Sequence, residues 1–170
     1  MTPQGRRHAA QVAAGLWHEP LAEVHSSPLE RARQTAALVG DATGAPVTVV
    51  PALDEVDFGA WSGTAFSDLD DDPRWHDWNA RRASACPPGG EAMADAQARI
   101  VDHVCATARR RPGATVAMVT HCDMIRAVLC AASGHSLDAI HDFEAAPCSV
   151  HRLTCDDSGI RPVAAGEAVA

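Results

Sequence analysis

Tyrosine is absent from this 170-residue chain, phenylalanine occurs only 3 times, and no apolar run approaches the roughly 20 residues that cross a bilayer. The scarcity of aromatic rings places the burden of a core on Val, Leu, Ile and 4 tryptophans, because much of the 46% apolar share is alanine. Basic residues are also outnumbered, 14 against 22 acidic ones, for a net charge of −8. A broad phosphate-backbone footprint is therefore excluded, and no nucleic acid or membrane partner is expected. A local group of arginines still suits one small anion. The N-terminus lacks the basic, apolar and small-residue regions of a signal peptide. The 6 cysteines (Cys86, Cys105, Cys122, Cys130, Cys148 and Cys155) form no CxxC pair and are scattered through expected helices and strands. That argues against a structural zinc site and a disulfide framework, so a reducing, cytoplasmic compartment is expected.

What is present reads as one domain over residues 1–170, with a variable insert at about 62–86. Thr2 and Pro3 open a first helix that Pro20 ends. Leu21 to His25 reads as a short buried strand. Ser27-Pro28-Leu29-Glu30 has the form of a capping box, starting a helix that stops near Gly40 or Gly44. Val47 to Val50 is a second strand. From Leu53 to Gly90 the periodicity is lost, through an acidic stretch (Asp68, Asp70, Asp71, Asp72) and then Trp75 and Trp78. An amphipathic helix carrying Met93, Ile100, Val101 and Val104 follows and ends at Pro112-Gly113. Thr115 to Thr120 is the best strand, and a helix over Asp123–Ala132 comes next. Ser136 to Glu144 is a short helix, and Ser149–Thr154 and Ile160–Val163 are expected edge strands.

Strands alternating with helices predict a mostly parallel sheet covered on both faces. Ligands then bind beyond the carboxyl ends of the strands. His25-Ser26-Ser27, Asp54-Glu55 and His121 each follow a strand, so separate stretches deliver polar groups to one rim. His121 lies where strand passes to helix, a place whose backbone N–H groups favour an anion. It is suited to stabilising a transferring phosphoryl group; equally, it reads as a strand-end histidine bonded to a loop carbonyl. Arg31 and Arg33 stand two apart on a helix, so at most one faces the crevice, and a lone helix arginine is ordinarily solvated. Glu55 is a candidate proton donor or acceptor, with plain surface charge as its alternative.

Four blocks, in chain order, resemble the histidine phosphatase (phosphoglycerate mutase-like) superfamily. They are Thr2-Pro3-Gln4-Gly5-Arg6, the stretch from Ser26-Ser27-Pro28-Leu29-Glu30-Arg31 to Ala36, Leu53-Asp54-Glu55 to Gly63, and Thr120-His121-Cys122-Asp123 to Arg126. Pro87-Pro88-Gly89-Gly90-Glu91 adds a weaker fifth. The resemblance implies a three-layer α/β fold and a phosphomonoesterase acting on a small phosphorylated metabolite, with inorganic phosphate also a ligand. It implies no metal and no organic cofactor. Residue by residue, it implies that Arg31 grips the phosphoryl group, Glu55 gives a proton to the leaving oxygen, and His121 is the second pocket histidine. Cys122 stands where the family usually has a glycine beside the phosphate. Its thiol reads as a buried structural group rather than a nucleophile, since cysteine phosphatases need five residues between Cys and Arg. Trp75 and Trp78 lie in the region that forms a substrate lid in the family, with anchoring of the insert as the other reading. No partner is evident for His76.

The family's defining Arg-His-Gly, at the end of its first strand, should precede the Thr2-Pro3 helix. Met1 stands there instead, and Arg7-His8 lies within the helix, where a solvated face is expected. The expectation is a sheet lacking its first central strand, with two neighbours left unpaired. A start falling about 25–30 residues late explains this, at the scale of one βαβ unit. The alternatives are an inactive phosphate- or partner-binding paralogue, a phosphoglycerate mutase, and a homodimer in which each copy patches the other's open sheet.

Overall fold

Residues 1–163 are described by a computed structural model. The Thr2 hydroxyl accepts from the Gly5 N–H at 3.1 Å and Pro3 takes the first helical position, launching α1 (Pro3–Gly15). Next come β1 (Leu21–Ser26), α2 (Glu30–Thr43) and β2 (Val47–Val49). After the insert lie α5 (Met93–Arg110), β3 (Thr115–Val119) and α6 (Cys122–Ser133). β1 is the middle strand of a three-stranded sheet, parallel to β2 on one side and β3 on the other. His25 is in register with Thr48 and Met118.

Alternation along β1 sends neighbouring side chains to opposite faces. Val24 enters a core with Ala13 of α1 and Ala36 and Val39 of α2. On the opposite face, Met118 packs against Ile100 and Met93 of α5 and Met124 and Ala127 of α6. The result is the helix–sheet–helix layering that the alternating strands and helices predict. No helix among the described residues is long and apolar enough to cross a membrane.

The last two strands depart from expectation. β4 (Leu153–Asp156) and β5 (Gly159–Pro162) pair antiparallel with each other and form a separate hairpin rather than edges of the main sheet. Among the described residues β3 therefore pairs with β1 alone, and its other edge is open. Met118 of β3 and Leu153 and Ile160 of the hairpin nonetheless pack against one core cluster. Apolar contact joins the two units where backbone pairing does not.

The aperiodic acidic stretch folds into α3 (Phe66–Leu69) and α4 (Pro73–Ala80), the second capped by Asp72 accepting from the Arg74 N–H. Trp61, Leu69 and Trp78 give this insert a core of its own, with Trp75 packed against it. Its two ends are tied together. Ala60 donates to the Pro88 carbonyl and Glu91 to that of Asp57, both by backbone N–H. Gly59 has φ 54°, and a Cβ there would stand 2.4 Å from the Pro88 oxygen. On Gly90 a Cβ would lie 2.3 Å from the Asp57 oxygen, so the chains cross where only glycine fits.

Candidate active site

Parallel pairing sends the carboxyl ends of β1 and β3 to the same rim. Ser27 follows β1, His121 follows β3 and is the N-cap of α6, and Asp54-Glu55 follows a 3-10 turn (Pro51–Leu53) beyond β2. Arg31, in the first turn of α2, reaches the same place. Its Nε donates to His121 Nδ1 at 3.2 Å. Because a guanidinium never gives up its protons here, Nδ1 must be the accepting nitrogen. His121 Nε2 then carries the ring hydrogen and donates to Ser27 Oγ at 2.8 Å. Ser27 passes its own hydrogen to Asp54 Oδ1 at 3.1 Å. A chain of four side chains thus fixes one tautomer of His121, and among the described residues no loop carbonyl holds the ring.

This chain also explains why the capping box fails. Ser27 Oγ accepts the Leu29 N–H but is otherwise committed to the rim, and α2 starts at Glu30, later than the sequence predicts. Glu30 does not reach back; its carboxylate accepts from Gln34.

Burial and this bonding set the electrostatics. His121 is 6% exposed, and desolvation together with the Arg31 charge lowers its pKa to about 4. Glu55 moves the other way, to about 7, through desolvation and then the nearby charge of Asp123. The Glu55 carboxylate stands 3.9 Å from His121 Nδ1. Between those two pKa values both groups are neutral, so this contact is not an ion pair. Near neutrality the rim offers a protonated carboxyl as a proton donor, a neutral imidazole, and an exposed guanidinium. The Arg31 Nη groups have no protein partner among the described residues. Such a set binds a small oxyanion and hands a proton to an oxygen on it.

Two arginines that give no sequence signal hold the rim in place. Arg99 of α5 donates to the carbonyls of Ala52, Asp54 and Glu55, at 2.9, 2.9 and 3.1 Å, and pairs with Glu91 at 2.8 Å. It fixes the backbone that carries Glu55. Arg82, 3% exposed, pairs with Asp123 at 3.1 Å and lies over the Trp78 ring at 3.3 Å, joining the insert to the start of α6. Each looks in sequence like a solvated residue on a polar stretch; burial beside carbonyls or a carboxylate is a property of the fold.

The remaining candidates fall as follows. Cys122 opens α6 and is exposed, against the expectation of a buried thiol, because the first residue of that helix turns to solvent above the core. Partial shelter of the sulfur within this exposed residue, outweighing the charge of Arg126, raises its pKa, which keeps the thiol protonated. Trp78 is completely buried in the core of the insert, and the half-buried Trp75 packs beside it. His76, on the same insert, bonds the Asp70 carbonyl. Arg33, Arg7 and His8 are exposed on their helices. Among the described residues no group of three His, Cys, Asp or Glu is placed to hold a metal ion.

The sequence profile of the histidine phosphatase superfamily (branch 1) matches residues 1–167, and the chain belongs to that superfamily. The bifunctional protein Rv2228c of Mycobacterium tuberculosis is 37% identical over 110 residues, which are 64% of this chain and 30% of that protein. The chain thus spans under a third of the length of the first curated relatives it matches. Phosphoserine phosphatase 1 of Hydrogenobacter thermophilus is 28% identical over 148 residues, 84% of this chain and 69% of that one. Bacillus stearothermophilus YhfR superposes with a TM-score of 0.88 at 26% identity, covering 99% of this chain and 85% of its own. Mycobacterial glucosyl-3-phosphoglycerate phosphatase Rv2419c, in complex with VO3, gives 0.83 at 27% identity over 94% of this chain and 82% of that one.

Proposed function

We propose that the chain is a phosphomonoesterase of the histidine type, acting on a small phosphorylated metabolite. The observation that carries this is the Arg31–His121–Ser27–Asp54 chain beside a protonated Glu55. In this reading Arg31 holds the phosphoryl oxygens and His121 donates to them as charge spreads in the transition state. Donation requires His121 to turn from Ser27, or its Nδ1 to take up a proton when the anion arrives. Glu55 protonates the leaving oxygen. The backbone at Cys122, at the N-terminus of α6, lies on the same rim as a further anion contact. Metabolites carrying both a phosphate and a carboxylate or sugar are the favoured class, from the names of the relatives.

The phosphoryl acceptor in this proposal is a histidine on a strand that pairs with the open edge of β3. Supply from an upstream segment of the same polypeptide is favoured, and supply from a second copy is the alternative. A competing reading is a phosphate-binding paralogue without turnover. It is favoured by the placement of the other histidines: His25 is turned to Glu23 and His103, and His8 is exposed on α1.

The test is binding and turnover measured together. The folded chain should bind vanadate by calorimetry, and His121→Ala should abolish binding. Turnover of p-nitrophenyl phosphate should appear on adding a strand peptide ending in Arg-His-Gly, with phosphohistidine recovered on that peptide. Binding without turnover, at saturating peptide, would favour the paralogue. Turnover that survives in His121→Ala would sink both readings.

A further inference from the structure

Away from the rim, α5 and the terminal hairpin bring two thiols together. Cys105 lies on α5 and Cys155 on β4, and their sulfurs are 3.6 Å apart, Cys155 donating to Cys105. A sequence separation of 50 makes this a contact of tertiary structure, not of neighbouring sequence. Rigid elements hold it. Cys155 is paired with Ile160 across the hairpin, and Leu153 and Ile160 pack against the cluster that contains Ile100 of α5. Both cysteines are half-buried, which leaves the pair open to small reagents. A disulfide requires about 2.05 Å between sulfurs, so the two sulfurs need to approach by only about 1.5 Å. Burial and the Cys105 contact push the Cys155 thiol up to about 11, so Cys155 holds its proton near neutrality.

We propose that Cys105 and Cys155 form a reversible disulfide that latches the hairpin to α5, with a low-molecular-weight disulfide such as glutathione disulfide as the oxidant. Cys105, which receives the hydrogen bond, makes the first attack as a thiolate. Its sulfur bonds to one sulfur of the small disulfide, whose S–S bond breaks and releases one thiolate. Cys155 then loses its proton and attacks the Cys105 sulfur, forming the internal bond and releasing the second thiolate. The two protons lost by the cysteines pass to the two departing thiolates. The small disulfide is reduced to two thiols, and the cysteine pair is oxidised by two electrons. The second step is intramolecular between groups already in contact, so it outruns release of the mixed disulfide.

The experiment uses the whole chain, reduced and then exposed to glutathione disulfide, followed by alkylation and peptide mapping. The expected product has a Cys105–Cys155 cross-link and 4 of the 6 cysteines still alkylated, and dithiothreitol reverses it. Oxidation should raise Tm by about 5–10 °C, the usual range for a disulfide closing a loop in a domain of this size. Cys105→Ser and Cys155→Ser should each lose that rise while melting like the reduced parent, and Cys86→Ser should keep it. A glutathione adduct that persists on Cys105, or a cross-link joining any other pair, would overturn the proposal. So would an unchanged Tm in a chain shown to be cross-linked.

Discussion

Glu55 and His121 bind protons in opposite senses, and folding should therefore couple to pH through both. Glu55 is raised from 4.5 to about 7, so the folded state holds its proton where the unfolded chain has lost it. Stability from this group is complete below pH 4.5 and falls as pH rises towards 7. His121 is lowered from 6.5 to about 4, so here the unfolded chain holds the proton and the folded state does not. Its contribution is complete above pH 6.5 and falls as pH drops towards 4. At about 1.4 kcal/mol per pH unit, each effect totals about 3 kcal/mol over its window. Both side chains are sheltered enough for that figure to stand, at 20% and 4% exposure.

In the parent protein the two slopes nearly cancel between pH 4.5 and 6.5, so a single stability curve would hide both. Variants separate them. Relative to the parent, Glu55→Gln should gain about 3 kcal/mol as pH rises from 4.5 to 7. His121→Gln, which keeps one donor and one acceptor, should lose about 3 kcal/mol relative to the parent as pH rises from 4 to 6.5. The assay is urea unfolding followed by circular dichroism at half-unit pH steps, read as variant minus parent so that other titrating groups drop out. Two flat difference curves would refute the assignment of a neutral imidazole beside a protonated carboxyl.

Three further outcomes follow from geometry. Arg99→Met should cost about 1–3 kcal/mol in urea unfolding at pH 7, since the half-buried carbonyls of Ala52, Asp54 and Glu55 lose a charged donor. Arg31→Met should weaken vanadate binding at least 10-fold, a loss of about 1.5–3 kcal/mol, while leaving Tm within a few degrees; equal affinity would remove Arg31 from the anion site. Gly90→Ala should cost about 2–3 kcal/mol by forcing apart the backbones that cross at the base of the insert, read as a lowered urea midpoint.

The layering of the fold was legible because it depends on local signals: proline and glycine stops, one strong apolar strand, and amphipathic helices. The convergence of Ser27, Asp54-Glu55 and His121 was legible for a related reason, since parallel strands deliver their ends to one rim. What that rule does not carry is which atom bonds which. Ser27 reads locally as a helix cap, yet its hydroxyl belongs to His121 and Asp54, which are 94 and 27 residues away. Arg99 and Arg82 were invisible because burial and partner choice are decided by packing between distant segments. The β4–β5 hairpin was read as two strands, the first begun four residues too early, and was misplaced, since nothing in a short strand's sequence names its neighbour.

The crossing at Gly59 and Gly90 has a bearing on how this chain changes over time. It pinches residues 60–89 into a cassette with its own aromatic core, joined to the rest at a backbone clasp, at the Arg82–Asp123 pair and by the Ala83 N–H donating to Asp138. Loop-closure entropy grows only logarithmically, so doubling the cassette's length would cost about 0.6 kcal/mol if the clasp stays shut. The cassette can be rebuilt, lengthened or exchanged without disturbing the Arg99 bonds that hold the loop of Glu55. Selection can therefore act on the cassette and the reacting groups as separate modules.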